Sequence, residues 1–315
     1  MLRFIQLQLF LTIISFPLLI AWGLPFSLMS PLSNLIFTPI LTLFLLLSTF
    51  VFFTQLVAIP NGWLIILLEW VTYLWDYIIS RGSNSWLIGF AQPPFWVFII
   101  FIGIAFFVLQ HRKLNSPTIS SACFLLLLLI FTACLKFIHP TPLTVTQIPC
   151  NKGALTYITH KKTTVLLDPG FLGQRISAPT WVEYTLMSFL IKNYGHTTID
   201  YLIVLQPGIV TFEAIKTLIQ LAQVKCLYLI GWEGNGSKQL LTSYGGLRRI
   251  CTQQNVKFLR IGNKQRECLL HENFSLLFKP LSKQLPYQEI KFPALELLIT
   301  IDEQEYVIHP AKYKE

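Results

Sequence analysis

Polar positions are so sparse in the first 140 residues that the chain reads as apolar runs of bilayer length. Leu2–Trp22, Leu35–Ala58, Phe95–Leu109 (extended to Gln110) and Ser121–Ile138 each form a stretch almost without charge. A helix rises 1.5 Å per residue and a hydrocarbon core is ~30 Å thick, so runs approaching 20 residues are expected to span. Gly62–Ser80 is a fifth run, interrupted by Glu69 and Asp76. Seven residues apart on a helix, the two acids share a face, and the segment is expected either to span with that face toward protein or to lie in the interface. The first run is long and no small-residue cleavage pattern follows it, so it reads as an uncleaved span rather than a signal peptide.

From Thr141 the pattern changes. Leu143–Ile148, Leu155–Thr159 and Thr163–Leu167 are short and rich in β-branched residues, with turn-like Asn151-Lys152-Gly153 and His160-Lys161-Lys162 between them, which predicts a β-meander. Strands at Tyr201–Leu205 and Cys226–Ile230 then alternate with helices at Val182–Lys192, Phe212–Gln223 and Lys238–Gln254. Further strands are expected at Val256–Ile261, Phe274–Phe278, Leu295–Ile301 and Tyr306–His309. The change falls at His139-Pro140-Thr141-Pro142, where two prolines end a helix. Two domains are expected, a helical membrane domain over 1–140 and an α/β domain over 141–315.

Charge follows the same division. Only seven charged residues precede Thr141, while 19 Lys and Arg against 13 Asp and Glu follow it, so +6 of the net +9 belongs to the polar half. With five spans, Arg3 and the Arg112-Lys113 loop both fall on the cytoplasmic side and the polar domain outside; four spans would put that loop outside, against the positive-inside tendency. The densest basic segment runs through Arg248, Arg249, Lys257, Arg260, Lys264 and Arg266, with Lys161 and Lys162 as a second group. Such residues neutralise phosphates, and they are the candidate contacts to a nucleic-acid backbone, set against an ordinary solvated surface. Glu69 and Asp76 are candidate polar lining of a path through the membrane.

The strand-to-turn-to-helix stretch Ile199–Ile215, IDYLIVLQPGIVTFEAI, is similar to the junction that carries a His-x-Asp-x-Asp-His metal motif in the metallo-β-lactamase-like domain of the ComEC competence family. Aligned on Pro207, Gln206 stands at the first His, Gly208 and Val210 at the two Asp and Thr211 at the last His, so the ligands are missing. LTVTQIPCNKGALTYITHKKTTVLLDPG resembles the family's strand, turn, strand and Ile-Asp-Gly-Gly sequence. ALELLITIDEQEYVIHP resembles its late hairpin, with His309-Pro310 where Gly-Asp belongs. In the membrane half, SPLSNLIFTPILTLFLLL and SWLIGFAQPPFWVFII are similar to its Asn-rich and Pro-Pro-aromatic entries into spans. The likeness covers the chain but only the C-terminal portion of longer family members.

The resemblance implies an α-helical polytopic membrane domain followed by an αββα-like, metallo-β-lactamase-type α/β domain that is degenerate: no metal, no cofactor and no hydrolase activity. It also implies a place in DNA uptake at the inner membrane, with the soluble domain outside the cytoplasm. The expected partners are the lipid bilayer, single-stranded DNA, and an N-terminal ComEC-like partner chain or a second copy. A scaffold that only docks partners is the alternative.

The remaining chemistry is thin. The six histidines have no metal-site spacing among themselves, Asp168 reads as a turn residue before Pro169-Gly170, and the loop over Val210 and Phe212 is expected to be held by packing. His196 and His309 are the residues that a non-standard metal site would use. Gly231–Lys238 follows a strand like a phosphate loop, but its Lys and Ser are in the wrong order for one. The six cysteines show neither metal nor redox spacing, and buried free thiols are expected.

Overall fold

A computed structural model describes residues 2–27, 30–82, 86–110, 116–138, 144–150, 153–160, 163–174, 177–231, 237–261, 266–271, 274–280, 285–287, 290–292, 295–301 and 304–308. Two compact units emerge, Met1–His139 with Ile191–Gly195, and Pro140–Leu190 with His196–Glu315.

The first unit contains α1 (Leu2–Ala21), β1 (Phe26–Ser27), α2 (Ser30–Leu56), α3 (Gly62–Ser80), β2 (Leu87–Ile88), α4 (Phe95–Gln110) and α5 (Pro117–Ile138). Four of its helices are long and apolar enough to cross a membrane, over Arg3–Ala21, Ser33–Leu56, Gly62–Ser80 and Thr118–Lys136. Set against the sequence expectation, one run differs. Gly62–Ser80 is one of the four, whereas the Phe95–Gln110 run is only 16 residues, about 24 Å of helix against a core of ~30 Å. One face of α4 stays exposed, with Phe95, Ile99 and Phe107 outward, while the other packs on protein. Its Phe98, Phe101 and Ala105 are buried among Phe16 of α1, Phe26, Phe90, and Phe124 and Phe131 of α5. The Phe101 and Phe131 rings stack at 3.8 Å, and Phe16 meets Phe26 and Phe90 edge-on. A second, smaller cluster joins α2 to α3 through Leu47, Leu64 and Val71, flanked by Ile40, Phe44, Val51 and Leu68. The membrane unit is thus a bundle of α1, α4 and α5 plus an α2–α3 hairpin with its own packing.

The second unit is built on a six-stranded sheet of β3 (Thr144–Cys150), β4 (Gly153–His160), β5 (Thr163–Asp168), β6 (Thr198–Val204), β7 (Gln223–Ile230) and β8 (Lys257–Ile261), adjacent in that order. β3, β4 and β5 pair antiparallel as a meander, and β5 through β8 pair parallel. Parallel pairing needs crossovers, supplied by α6 (Ala178–Trp181) and α7 (Met187–Tyr194), α8 (Ile209–Leu221) and α9 (Lys238–Gln253). Strands covered on both faces are apolar without alternation, which is why the β6 run is nearly continuous. One face presents Ile158, Val165, Leu167, Ile203, Leu205, Tyr228, Ile230 and Ile261. A separate sheet has the antiparallel order β14 (Gln304–Ile308), β13 (Leu295–Ile301), β10 (Phe274–Pro280) and β9 (Arg266–His271); β11 (Leu285–Tyr287) and β12 (Ile290–Phe292) form a third, two-stranded pair. Within the crossover from β5 to β6, Val182–Leu186 is a π-helical turn where sequence predicts regular helix.

Candidate functional site

In an open parallel sheet, ligands gather beyond the carboxyl ends of the strands, and there the structure assembles several of the residues singled out in the sequence. Asp168 ends β5 in register with Val204, and its carbonyl accepts a hydrogen bond from the Leu205 amide at 3.0 Å. Gln206 and Pro207 follow at once. Gly208 is the N-cap of α8 in extended conformation, and its carbonyl accepts from Phe212 at 2.9 Å. Helix therefore begins three residues earlier than the periodicity indicates. Val210 and Thr211 are its first turn rather than loop, because Pro207-Gly208 already breaks the strand.

The interior of this turn is polar and closely filled. Asp168 is fully buried; its Oδ1 accepts from the amides of Gly170 and Phe171 at 2.8 Å and of Leu172 at 3.3 Å. Sequence reasoning identifies it as a turn residue, and those three bonds are that role. Its Oδ2 has no partner among the described residues. Burial raises the carboxyl from 3.8 to about 6, against the lowering effect of the three amides. Gln206 and Thr211 are also buried, and the Thr211 hydroxyl donates to the Gln206 carbonyl at 3.5 Å. Two glycines make the packing possible. A Cβ at Gly170, whose φ is +123°, would lie 2.2 Å from Gln206 Oε1, and one at Gly173 would lie 2.6 Å from Thr211 Oγ1. Gln206 and Thr211 thus pack on the Gly170–Gly173 turn that Asp168 holds, with Gly208 beside Thr211, while Val210 is only half-buried and Phe212 is fully buried. The expected packing falls on Phe212 rather than Val210, since the helix turns Val210 partly outward.

Other predicted residues lie elsewhere. His196 precedes β6, with the Tyr157 hydroxyl and its Nδ1 hydrogen-bonded at 2.5 Å. Burial lowers its pKa and Asp200 partly opposes this. β6 separates it from Gln206 by roughly 20 Å of strand at ~3.3 Å per residue, so the two do not form one site. His309 lies outside the described residues. Among those described, no group of three His, Cys, Asp or Glu side chains stands close enough to hold a metal. Ser237 is an N-cap, its Oγ accepting from the Leu240 amide at 3.2 Å, and residues 232–236 are outside the description.

The described basic residues do not make a single surface. Arg248 and Arg249 are exposed on α9, and Lys257 and Arg260 are exposed on edge strand β8. Successive side chains alternate across a strand, so Lys257 shares the Ile261 face and Arg260 shares the face of Phe258, whose ring meets Tyr244 of α9. Lys161, Lys162 and Lys264 are outside the described residues; Arg266 lies in β9, its side chain undescribed. Glu69 and Asp76 are both exposed on α3. Cys150, Cys226 and Cys251 are buried, and burial pushes the Cys251 thiol up to about 11.

Two polar clips escape the sequence reading. Asp200 Oδ2 accepts from the Thr164 amide and hydroxyl at 2.7 and 2.9 Å, and Lys225 Nζ reaches its Oδ1 at 2.6 Å, tying β5, β6 and β7 together. Glu213 Oε1 accepts from Ser243 Oγ and Lys216 Nζ, both at 2.7 Å, joining α8 to α9. Burial acts upward on the Glu213 carboxyl, but these two hydrogen bonds hold it below its usual value.

The fold thus defines a membrane-associated protein with four bilayer-length helices and a mixed α/β unit. No family model matches the chain, and no curated protein matches it.

Proposed function

We propose that the chain is a non-hydrolytic component of a membrane apparatus for DNA uptake resembling the ComEC competence family. The helical unit contributes to a conduction path, and the α/β unit is a degenerate metallo-β-lactamase-like domain that guides the strand without cutting it. The reading is supported chiefly by one succession: bilayer-length helices, a β-meander ending at Asp168, and a parallel strand running into the Gln206–Thr211 junction. That junction is the place the family uses for metal, and here it holds an amide, a hydroxyl and two glycine-lined contacts.

In this reading the inner membrane holds the helices, α4 crosses as a fifth and shorter span so that the α/β unit lies on the extracytoplasmic side, and a ComEC-like N-terminal partner chain or a second copy completes the channel. Glu69 and Asp76 line the path, because a carboxylate facing hydrocarbon costs ~3 kcal/mol even on the lenient insertion scale. A deletion strain should lose uptake of labelled DNA, and the Glu69→Ala/Asp76→Ala pair should reduce it while membrane abundance stays normal. Unchanged uptake in the deletion strain would refute the transport role; unchanged uptake in the pair alone would remove the two acids from the path.

The second reading is a partner-docking scaffold, favoured by the division of Lys257 and Arg260 between two faces of β8. A neighbouring reading frame encoding a ComEC-like N-terminal portion favours the transporter, and its absence from the genome favours the scaffold.

A further inference from the structure

Between α1 and α2 lies an apolar groove of about 530 Å³, lined by Phe4 of α1 and by Leu35, Thr38, Pro39, Thr42, Leu43 and Leu46 of α2. The volume falls within the ~300–1,000 Å³ of ligand clefts. We infer that the groove is a binding site for one lipid acyl chain.

The first argument is location. Every lining residue belongs to a bilayer-length segment, Arg3–Ala21 or Ser33–Leu56. The α2 residues that pack on α3, Ile40, Phe44, Leu47 and Val51, lie roughly 140° around the helix from the groove face at 3.6 residues per turn. The groove is therefore not part of the hairpin's own interface.

The second argument is chemistry. Among the described residues the polar side chains in the lining are Thr38 and Thr42, and both hydroxyls donate within α2, Thr38 to the Asn34 carbonyl at 2.6 Å and Thr42 to the Thr38 carbonyl at 2.8 Å. Neither proton is left for a ligand, so the wall offers an occupant dispersion and apolar contact rather than directed bonds. The third argument is length. From Leu35 to Leu46 the groove follows α2 for roughly 16 Å, about half of the ~30 Å hydrocarbon core, which is the reach of one chain within one leaflet. A docked helix would gain most where small residues let backbones approach. Here the bulky Phe4, Leu35, Leu43 and Leu46 hold the walls apart.

The test uses the full chain reconstituted in vesicles of phosphatidylethanolamine and phosphatidylglycerol doped with a phosphatidylcholine carrying a diazirine on its acyl chain. After irradiation, adducts on the peptide spanning 35–46 should exceed several-fold those on the equally apolar, exposed Leu125, Leu126, Leu129 and Ile130 of α5. Leu43→Trp, which fills the groove, should bring the excess down to the α5 level without shifting the melting temperature. A retained phospholipid in native mass spectra of the detergent-extracted wild type provides a readout that needs no variant. Equal labelling of the two helices, with no retained lipid, would reduce the groove to ordinary lipid-facing surface and overturn the proposal. A photo-crosslinker at position 43 that yields chiefly chain-to-chain product would overturn it in favour of a second copy.

Discussion

At Asp168 a carboxyl is held entirely out of water with one oxygen bonded to three amides and the other lacking a described partner. Its folded value near 6 lies above the unfolded 3.8, so the folded state binds its proton more tightly. The resulting contribution to stability is complete below pH 3.8 and is lost as pH rises through about 6, on the order of 3 kcal/mol in all. Asp168→Asn keeps the acceptor and deletes the charge. The variant should match the wild type near pH 4 and exceed it near pH 8 in denaturant titrations of the full chain; equal stability at both would show that the carboxyl is solvated. Gly170 makes the complementary point. Alanine there meets both the left-handed φ and the Gln206 side chain, so Gly170→Ala should cost about 1–3 kcal/mol. Adding Gln206→Ala should recover part of that loss but not the backbone part, a difference a double-mutant cycle resolves.

At the scale of elements, α8 is seated by Phe212 and clipped to α9 by Glu213. Truncating a fully buried phenylalanine typically costs about 3–5 kcal/mol, whereas the half-buried Val210 has less to lose. Phe212→Ala should therefore lower the denaturation midpoint far more than Val210→Ala, and comparable losses would contradict the burial pattern. A junction held by side-chain packing predicts that chelator leaves the melting temperature unchanged; a drop of several degrees restored by zinc would expose a metal contribution. The sequence makes β6 and the existence of α8 legible because both are signalled locally, by an apolar run and a Pro-Gly break. It places the helix start late, since the period of α8 becomes visible only from Phe212. The Asp200–Thr164–Lys225 clip is not legible at all, for it depends on the parallel register of three strands separated by helices. Of the two glycines inside α9, Gly245 faces open space, whereas a Cβ at Gly246 would stand 2.9 Å from Lys216 Nζ, so Gly246 leaves room for the tip of that side chain. Gly246→Ala should accordingly disturb the Glu213 clip, and Gly245→Ala, which meets nothing within 4 Å, should raise stability through helix propensity by up to about 1 kcal/mol.

At the scale of the whole molecule, apolar runs reveal how many helices there are but not how they group. Four of the five expected runs have bilayer length, and the fifth, α4, is shorter, packing Phe98, Phe101 and Ala105 into the phenylalanine cluster while its other face stays exposed. The candidate site divides in the same way. Its loop positions Gln206, Gly208 and Thr211 lie around one turn as the order of residues along the chain implies, while strand alternation sends Lys257 and Arg260, close in sequence, to opposite faces of β8. If phosphate contact rests on Arg248 and Arg249 alone, the logarithm of affinity for single-stranded DNA should fall with the logarithm of salt at a slope near −1.4, about 0.7 per phosphate. A much steeper slope would bring in further cations beyond these two.

The separate packing of the α2–α3 hairpin has a mechanical consequence. Its small cluster of Leu47, Leu64 and Val71 is independent of the phenylalanine cluster that binds α1, α4 and α5, so the membrane half has two seams of unequal strength. Drawn out of a bilayer by its end in a force spectrometer, it should give way in two rips, the hairpin leaving as one piece and the aromatic bundle resisting at higher load.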